Sequence, residues 1–386
     1  MTVLGIHDLA VATTHHVLEL DDLAARNGVD PQKYRLGLGQ AQMSVPAPDE
    51  DVVTMGAAAA QPIIERHGTD RIRTLLFATE SGVDNSKAAG VFVHGLLGLP
   101  AAVRTVELKQ ACYSGTAALQ TALGIVARNP AEQVLVITSD VARYELDSAA
   151  EPTQGAAAVA MLVSADPALL AIEAASGVFT ADIDDFWRPL DSTTAVVDGA
   201  LSTRAYQDAV LGAWDDYRAH GGAEFADIDR FVYHQPFTKM ARKAHARLAQ
   251  HNGAESVPEA FESTFTYNMQ LGNSYTASMY AGLAALLDDD SDLTGKRVAL
   301  LSYGSGSVGE VLSGIVQPGY REHVRAEETR AALERRVRIA LDDYRALHAA
   351  VDGSSTDQEF PQVTAGPFRL AGIRGRARHY ERTPAA

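Results

Sequence analysis

The 386-residue chain has a single cysteine, Cys112, so no intramolecular disulfide can form and a cysteine-based zinc site is excluded. Positive charge is scarce as well. Lys and Arg number 33 against 49 Asp and Glu, a formal net charge of -16. Such a surface repels polyanions, so neither nucleic acid nor an anionic membrane is expected as a partner. No run of 18 apolar residues is available to span a bilayer. The opening stretch, Met1 to His16, lacks the basic start and unbroken apolar segment of a signal peptide, which reads as a cytoplasmic protein. The sequence also has no HExxH and no comparable pair of histidines with a third ligand, so no metal site is expected.

What is present is the composition of a globular enzyme, 46% hydrophobic and 21% charged. At roughly 100 to 200 residues per domain the length allows two or three core units. Short apolar runs alternate with helical patterns. Arg73–Ala78, Val103–Leu108, Gln133–Thr138 and Ala156–Val163 read as strands in the first half. Lys87–Leu97 and the small-residue stretch from Cys112 to Ile125 read as helices. The second half repeats the ingredients: strands at Phe231–Tyr233 and Arg297–Leu301, helices from Thr238 to about Ala249 and from Tyr275 to Leu287. Interleaving of this kind predicts an α/β fold.

The halves also resemble each other. Ala111–Leu119 can be laid over Asn273–Ala281, a register that places Cys112 on Ser274, with a strand before and after each segment. The division expected is 1–166 and 167–386. From about residue 320 the chain reads as a surface appendage: an exposed Arg- and Glu-rich helix over Tyr320–Arg336, a polar loop over Asp352–Asp357 and a frayed end from Arg382.

Five places could do chemistry. Cys112 lies at a strand-to-helix junction, where the helix dipole and free amides would lower a thiol pKa and hold an oxyanion; equally, a lone cysteine in an apolar helix is a small hydrophobe. Gly115, next to it, predicts close approach of a substrate or of backbone. Glu80 ends a strand, where partial desolvation would suit it to proton transfer, unless Glu80 or Ser81 simply caps the following helix. His234 follows a short strand and is fixed by Pro236. Gly304-Ser-Gly-Ser-Val-Gly309 matches GxGxxG but precedes a strand rather than a helix, so a dinucleotide site is rejected. The loop would instead bring backbone amides and Ser305 against a thioester. Finally, Lys239, Lys243 and Arg247 recur every four residues, a solvated face or a stripe for a phosphorylated cofactor arm.

Taken together, the motifs Ala78-Thr-Glu-Ser81, Gln110-Ala-Cys-Tyr113, Glu151-Pro-Thr-Gln-Gly155, Asp185-Phe-Trp-Arg-Pro189, Val197-Asp-Gly-Ala-Leu-Ser202, Tyr233-His-Gln-Pro-Phe-Thr-Lys239 and Tyr303-Gly-Ser-Gly-Ser307 resemble the 3-hydroxy-3-methylglutaryl-CoA (HMG-CoA) synthase family, as does Gly37-Leu-Gly-Gln40. The likeness runs in order from about Gly5 to Tyr320 with compact bacterial spacing; Gly366–Gly372 matches more weakly. It implies a thiolase-like fold, two similar halves in a five-layered αβαβα arrangement, as a homodimer. It also implies an acyltransferase of the mevalonate route to isoprenoids that needs no cofactor beyond its CoA-thioester substrates. Acetyl-CoA would acetylate Cys112, and the acetyl group would condense with acetoacetyl-CoA before hydrolysis. Glu80 would be the general base and acid, and His234 would polarise the ketone. By the same resemblance Thr153, Ser202, Asn273 and Ser305 contact substrate, Lys239 and Lys243 contact CoA, and Tyr113, Asp140 and Asp185 support the thiol. Ser114-Gly115 and Gln235 depart from the family pattern without removing a functional group.

Rival readings fare worse. A degradative thiolase needs a second cysteine. A ketoacyl synthase using Cys112, His234 and Asn273 leaves Glu80 idle, and an inactive scaffold would not keep the trio. The nearest rival is a β-branching synthase of polyketide assembly lines, with the same chemistry on acyl carrier protein.

Overall fold

The computed structural model describes residues 2–351 and 356–383. Nine strands form one mixed sheet: β1 (Leu4–Ala12), β2 (Ile72–Ala78), β3 (Arg104–Leu108), β4 (Gln133–Ala142), β5 (Gly155–Ala165), β6 (Leu170–Thr180), β7 (Arg230–Tyr233), β8 (Arg297–Gly304) and β9 (Val308–Val316). Their order is β7-β8-β9-β6-β1-β5-β4-β2-β3. The two ends meet only through β1 and β6, over the pairs Gly5 with Ala171 and Ile6 with Leu170.

Alternation along the strands sorts the core into layers. Leu75, Phe77, Leu135 and Ile137 face outward from β2 and β4 and are covered by α1 (Val52–His67) and α2 (Ala89–Leu96). Leu76, Val134 and Val136 face inward onto α3 (Ser114–Arg128). Likewise Phe231, Ala299 and Leu301 pack outward under α4 (Gly199–Ala219) and α5 (Thr238–His251). Val232, Val298 and Leu300 pack inward on α6 (Ser278–Leu287), every residue of which is buried. The result is the expected αβαβα layering, with α3 and α6 as its central layer. The small residues of both helices permit this: Gly115 has room for no Cβ, which would sit 2.9 Å from the Thr276 carbonyl. The close approach that Gly115 predicts is therefore backbone, not substrate.

The internal repeat exists in a different register. Ala111 and Tyr275 share an unusual positive φ, 43° and 45°, just ahead of the helices starting at Ser114 and Ser278. Gln133 and Arg297 open the equivalent strands β4 and β8 at the same offset. Cys112 therefore corresponds to Thr276, two positions beyond Ser274. Sequence similarity alone slipped because both stretches are runs of small residues with little to fix a register.

The C-terminal segment is not a surface appendage. Of the proposed long helix only Ala326–Glu334 is α-helical, preceded by a 3-10 turn at Tyr320–Glu322. Arg325, 8% exposed, bonds the fully buried Asp8 of β1 at 2.7 Å, and Arg336 reaches Ser44, Gln42 and the Gln270 carbonyl from inside the fold. A buried guanidinium with its donors satisfied is structural, and nothing in sequence separates it from a surface one. The helix α7 (Leu341–Ala350) buries Tyr344; of the end expected to fray, Arg382 closes the strand Ala377–Arg382 and Thr383 donates to the Pro367 and Gly366 carbonyls. Residues 352–355 of the polar loop and the last three of the chain lie outside the described residues.

Candidate active site

Glu80, two residues past the end of β2, is placed by Asp140 on the neighbouring β4. One oxygen of Asp140 accepts from the Thr79 hydroxyl (2.8 Å) and from the backbone amides of Glu80 and Ser81 (2.9 Å each). The other accepts from the amide and hydroxyl of Thr276, at 3.1 and 2.5 Å. A single buried carboxylate thus ties the end of β2 to the entry of α6. Helix α2 begins at Ala89, whose amide donates to the Glu107 carboxylate at 2.7 Å and not to Glu80 or Ser81, which removes the capping alternative for those two. The Glu80 Oε1 is buried without a hydrogen-bond partner. Burial first, and then the Asp140 charge, push its pKa well above the usual carboxylate value; Arg188 opposes this, and donates to the Glu80 carbonyl at 3.3 Å.

Cys112 is 8% exposed and packs with Ala142, Tyr144, Ala195 and Tyr275. The lowered pKa expected at a helix start is not what the site produces. Burial, followed by the charges of Glu80, Asp140 and Asp185, pushes the thiol well up. One helix terminus does not outweigh desolvation plus three carboxylates. The resting site therefore favours the thiol over the thiolate.

His234 caps β7 at 2% exposure. Its amide donates to the Leu301 carbonyl (2.9 Å), its carbonyl accepts from the Tyr206 hydroxyl (2.8 Å), and Nδ1 lies 2.7 Å from the Ser278 Oγ at the start of α6. That Oγ also accepts from the Gln235 amide at 3.2 Å. Burial depresses the imidazole to a pKa of about 3, so it stays neutral at physiological pH. His245, 1% exposed and bonded to the Tyr233 hydroxyl, is depressed to about 4 by the same cause. In the unfolded chain both titrate near 6.5, so the unfolded state binds more protons below that pH. The contribution of these two histidines to stability is expected to be flat above pH 6.5 and to fall as pH drops toward 4, by about 1.4 kcal/mol per pH unit for each. Urea midpoints from pH 7.5 to 4.5 check this, and a midpoint that does not move below pH 6 contradicts it.

The supporting residues fall into two groups. Asp185, fully buried, accepts from the Tyr303 hydroxyl (2.8 Å) and the Gly306 amide (2.9 Å). It thereby holds the glycine loop between β8 and β9 against the Cys112 turn, where a Cβ on Gly304 would sit 2.6 Å from the Tyr113 nitrogen. This spends amides that the sequence reading offered to a thioester: Gly306 serves Asp185, and Ser307 donates to the Ala181 carbonyl. The Ser305 carbonyl accepts from Gln110, and the Tyr113 hydroxyl donates to Glu310. Asn273 donates its amide to the Thr153 carbonyl and its side chain to the Tyr144 hydroxyl, which joins these three around the Cys112 cluster. Ser202 sits apart, half-buried in the first turn of α4.

The basic stripe is broken. Lys239 donates to the Leu36 carbonyl at 3.1 Å, and Arg247 is paired with Asp208 and Gln207 of α4. Lys243 is exposed, with no bonded partner among the described residues. No group of three or more His, Cys, Asp or Glu residues able to hold a metal ion occurs among the described residues. Tyr144, Tyr275, Ser278 and Arg188 escaped the sequence reading of the site. Arg188 was within reach, since it lies inside Asp185-Phe-Trp-Arg-Pro189, but the two tyrosines carry no spacing signal.

Comparison with known proteins agrees along the chain. Residues 2–168 match the family described as hydroxymethylglutaryl-coenzyme A synthase N terminal, and residues 170–260 and 250–363 match its C-terminal counterpart. A hydroxymethylglutaryl-CoA synthase of Enterococcus faecalis is 38% identical over 98% of this chain and 99% of its own. The polyketide biosynthesis 3-hydroxy-3-methylglutaryl-ACP synthase of Bacillus subtilis is 32% identical over 90% of this chain and 88% of its own. Among solved structures, MvaS in complex with 3-hydroxy-3-methylglutaryl coenzyme A superposes with a TM-score of 0.93 at 37% identity, covering all of both chains.

Proposed function

The chain belongs to the hydroxymethylglutaryl-CoA synthase family, and we propose that Cys112, Glu80 and His234 carry its reaction, the condensation of acetyl-CoA with acetoacetyl-CoA to HMG-CoA and free CoA. The observation that carries the assignment is the half-buried Glu80, whose Oε1 is enclosed without a hydrogen-bond partner and whose pKa is raised well above its usual value beside the one thiol of the chain. The Cys112 sulfur attacks the acetyl thioester; the new S–C bond replaces the S–CoA bond, and the thiol proton leaves on CoA. Glu80 then takes a proton from the acetyl methyl. A base with a raised pKa binds that proton firmly enough to remove it and to hold it until it is returned. The methyl carbon attacks C3 of acetoacetyl-CoA, and Glu80 gives its proton to the resulting alkoxide. With the Ser278 hydroxyl proton directed at Nδ1, the neutral His234 carries its own on Nε2 and donates it toward the C3 oxygen. Water finally cleaves the Cys112 thioester.

The role of Asp140 is to set both the place and the pKa of Glu80. Asp185 and Tyr303 fix the glycine loop, and Tyr113 anchors the Cys turn to Glu310. Thr153, Ser202, Asn273 and Ser305 are kept as substrate contacts, Lys239 and Lys243 as contacts to CoA. The boundary near residue 166 is supported by the turn from β5 into β6. A homodimer is supported by β3, the edge of the sheet, where Val106 stands 43% exposed. The mevalonate route and a cytoplasmic setting fit the product and the single thiol. Release of CoA from acetyl-CoA and acetoacetyl-CoA, with HMG-CoA identified by mass, tests the reading; no product with both substrates present defeats it.

The carrier-protein reading keeps support from the 32% identity to the ACP synthase and from the likeness to an HMG synthase solved in complex with donor ACP. Lys243 separates the two. Lys243→Glu is expected to raise the Michaelis constant for acetoacetyl-CoA about two- to fivefold, with turnover unchanged and a larger effect at low salt. Arg247→Gln should change little, because Arg247 is already engaged by Asp208. An enzyme that turns over acetoacetyl groups only on a carrier protein would reverse this assignment.

A further inference from the structure

Between β6 and α4 the chain makes a short hairpin, Phe186–Trp187 against Val196–Val197, whose Phe186 packs on the Cys112 cluster. The hairpin is tied down along its length. Asp185, just ahead of it, accepts the Asp198 amide on its carbonyl at 3.0 Å. Arg143 donates to the Thr193 carbonyl at 3.4 Å, and the Ala195 amide donates to the Arg143 carbonyl at 3.1 Å. Phe186 meets Tyr144 and Tyr275 edge to face, with ring centres 6.0 and 5.8 Å apart. From this frame Arg188 reaches the end of β2, where its guanidinium donates to the Glu80 carbonyl at 3.3 Å; it also donates to the Ser192 carbonyl at 3.2 Å. Both acceptors are neutral, and no carboxylate pairs with Arg188 among the described residues.

The titratable groups that bear on Glu80 are the Asp140 carboxylate, the Cys112 thiol, the Tyr144 and Tyr275 phenols and Arg188. Arg188 is the cation among them. Two other cations share the cavity wall with Glu80 but act elsewhere: Arg143 is held by the His348 and Thr193 carbonyls, and Lys109 bears on Glu107. We propose that Arg188 is a positioning residue for the condensation, fixing the Glu80 backbone and setting a positive charge against Asp140, so that Glu80 meets the acetyl methyl as a carboxylate. The inference rests on the assignment of Glu80 above. A base must be ionised before it can take a proton, and burial beside Asp140 works against ionisation. A nearby cation favours the charged form, so its removal leaves a smaller ionised fraction at neutral pH.

The full chain is acetylated with labelled acetyl-CoA, freed of CoA and mixed with acetoacetyl-CoA under rapid quench, from about pH 5.5 to about pH 9. Once acylated, Cys112 has no thiol to titrate. His234, with a pKa of about 3, stays neutral throughout, and burial pushes both tyrosines above this range. The acid limb of the condensation rate therefore reports Glu80 coupled to Asp140. Arg188→Met keeps the length and removes the charge. Its limb is expected at higher pH, with condensation about three- to tenfold slower near pH 6.5 and the loss shrinking toward pH 9; the effect is modest because Arg188 is exposed and screened. The acetoacetyl-CoA concentration for half-saturation should stay within about twofold. Arg188→Lys should return the limb most of the way, and melting temperatures of both variants should match the wild type. A loss of equal size at every pH, or a limb that does not move, makes Arg188 a structural residue of the hairpin and overturns the proposal. Weaker saturation with the limb in place makes it a substrate contact and does the same. If the wild-type acetyl-enzyme condenses with no acid limb, the assignment of Glu80 as base fails and the inference falls with it.

Discussion

Brief incubation with labelled acetyl-CoA is expected to leave one label per chain on the Cys112 peptide, and Cys112→Ala to carry none. Loss of the sulfur removes the only route to the acyl intermediate, so overall turnover should fall at least about 10⁴-fold. The fold should survive, because the change exchanges one small buried group for another in a cluster bounded by Tyr144 and Tyr275. The high thiol pKa adds a kinetic expectation. Acetylation should speed up with rising pH through the neutral range, since the ionised fraction is limiting, and general alkylating agents should react slowly with the resting enzyme. Label found on the Cys112→Ala protein would rule out the nucleophile.

Glu80→Ala should split the reaction in two. Acetyl-Cys112 should still form, because Glu80 acts after that step, and removal of a neighbouring carboxylate even eases thiol ionisation. Condensation should then drop by roughly 10² to 10⁴, the range for a lost general acid–base. Rapid-quench measurement of label on the enzyme against label in product resolves the two stages. A folded Glu80→Ala protein that fails to acetylate would mean that Glu80 activates the thiol instead, and the roles would have to be exchanged.

Much of this could be read from sequence, for physical reasons that differ by element. Gln133–Thr138 and Phe231–Tyr233 are apolar on both faces because both faces are covered, and such strands stand out in any sheet buried between helices. The central strand β1 did not stand out: it carries His7 and Asp8, and Asp8 is tolerable only because Arg325 and His67 meet it from distant parts of the chain. The C-terminal segment misled for the same reason, since Arg325 and Arg336 have the look of surface charge until their partners are known. In the site, Glu80, Cys112 and His234 were legible because each ends a strand or begins a helix. Tyr144, Tyr275 and Ser278 were not, because their part is to hold others through contacts between segments far apart in sequence. The direction of the Cys112 shift failed for a related reason: local geometry predicts the dipole, while Asp140 and Asp185 arrive from elsewhere.

Helix α6 has no face turned to solvent and is enclosed by strands from both ends of the sheet. Its amides can therefore meet water only when the whole molecule comes apart, and they should be among the last to exchange with deuterium, at the free energy of global unfolding. Ser278 and Thr276, which position His234 and Asp140, sit on that element and at its entry. The enzyme should accordingly lose activity and its most protected protons together on denaturation, with no partly open form in which the site has dissolved while the core persists.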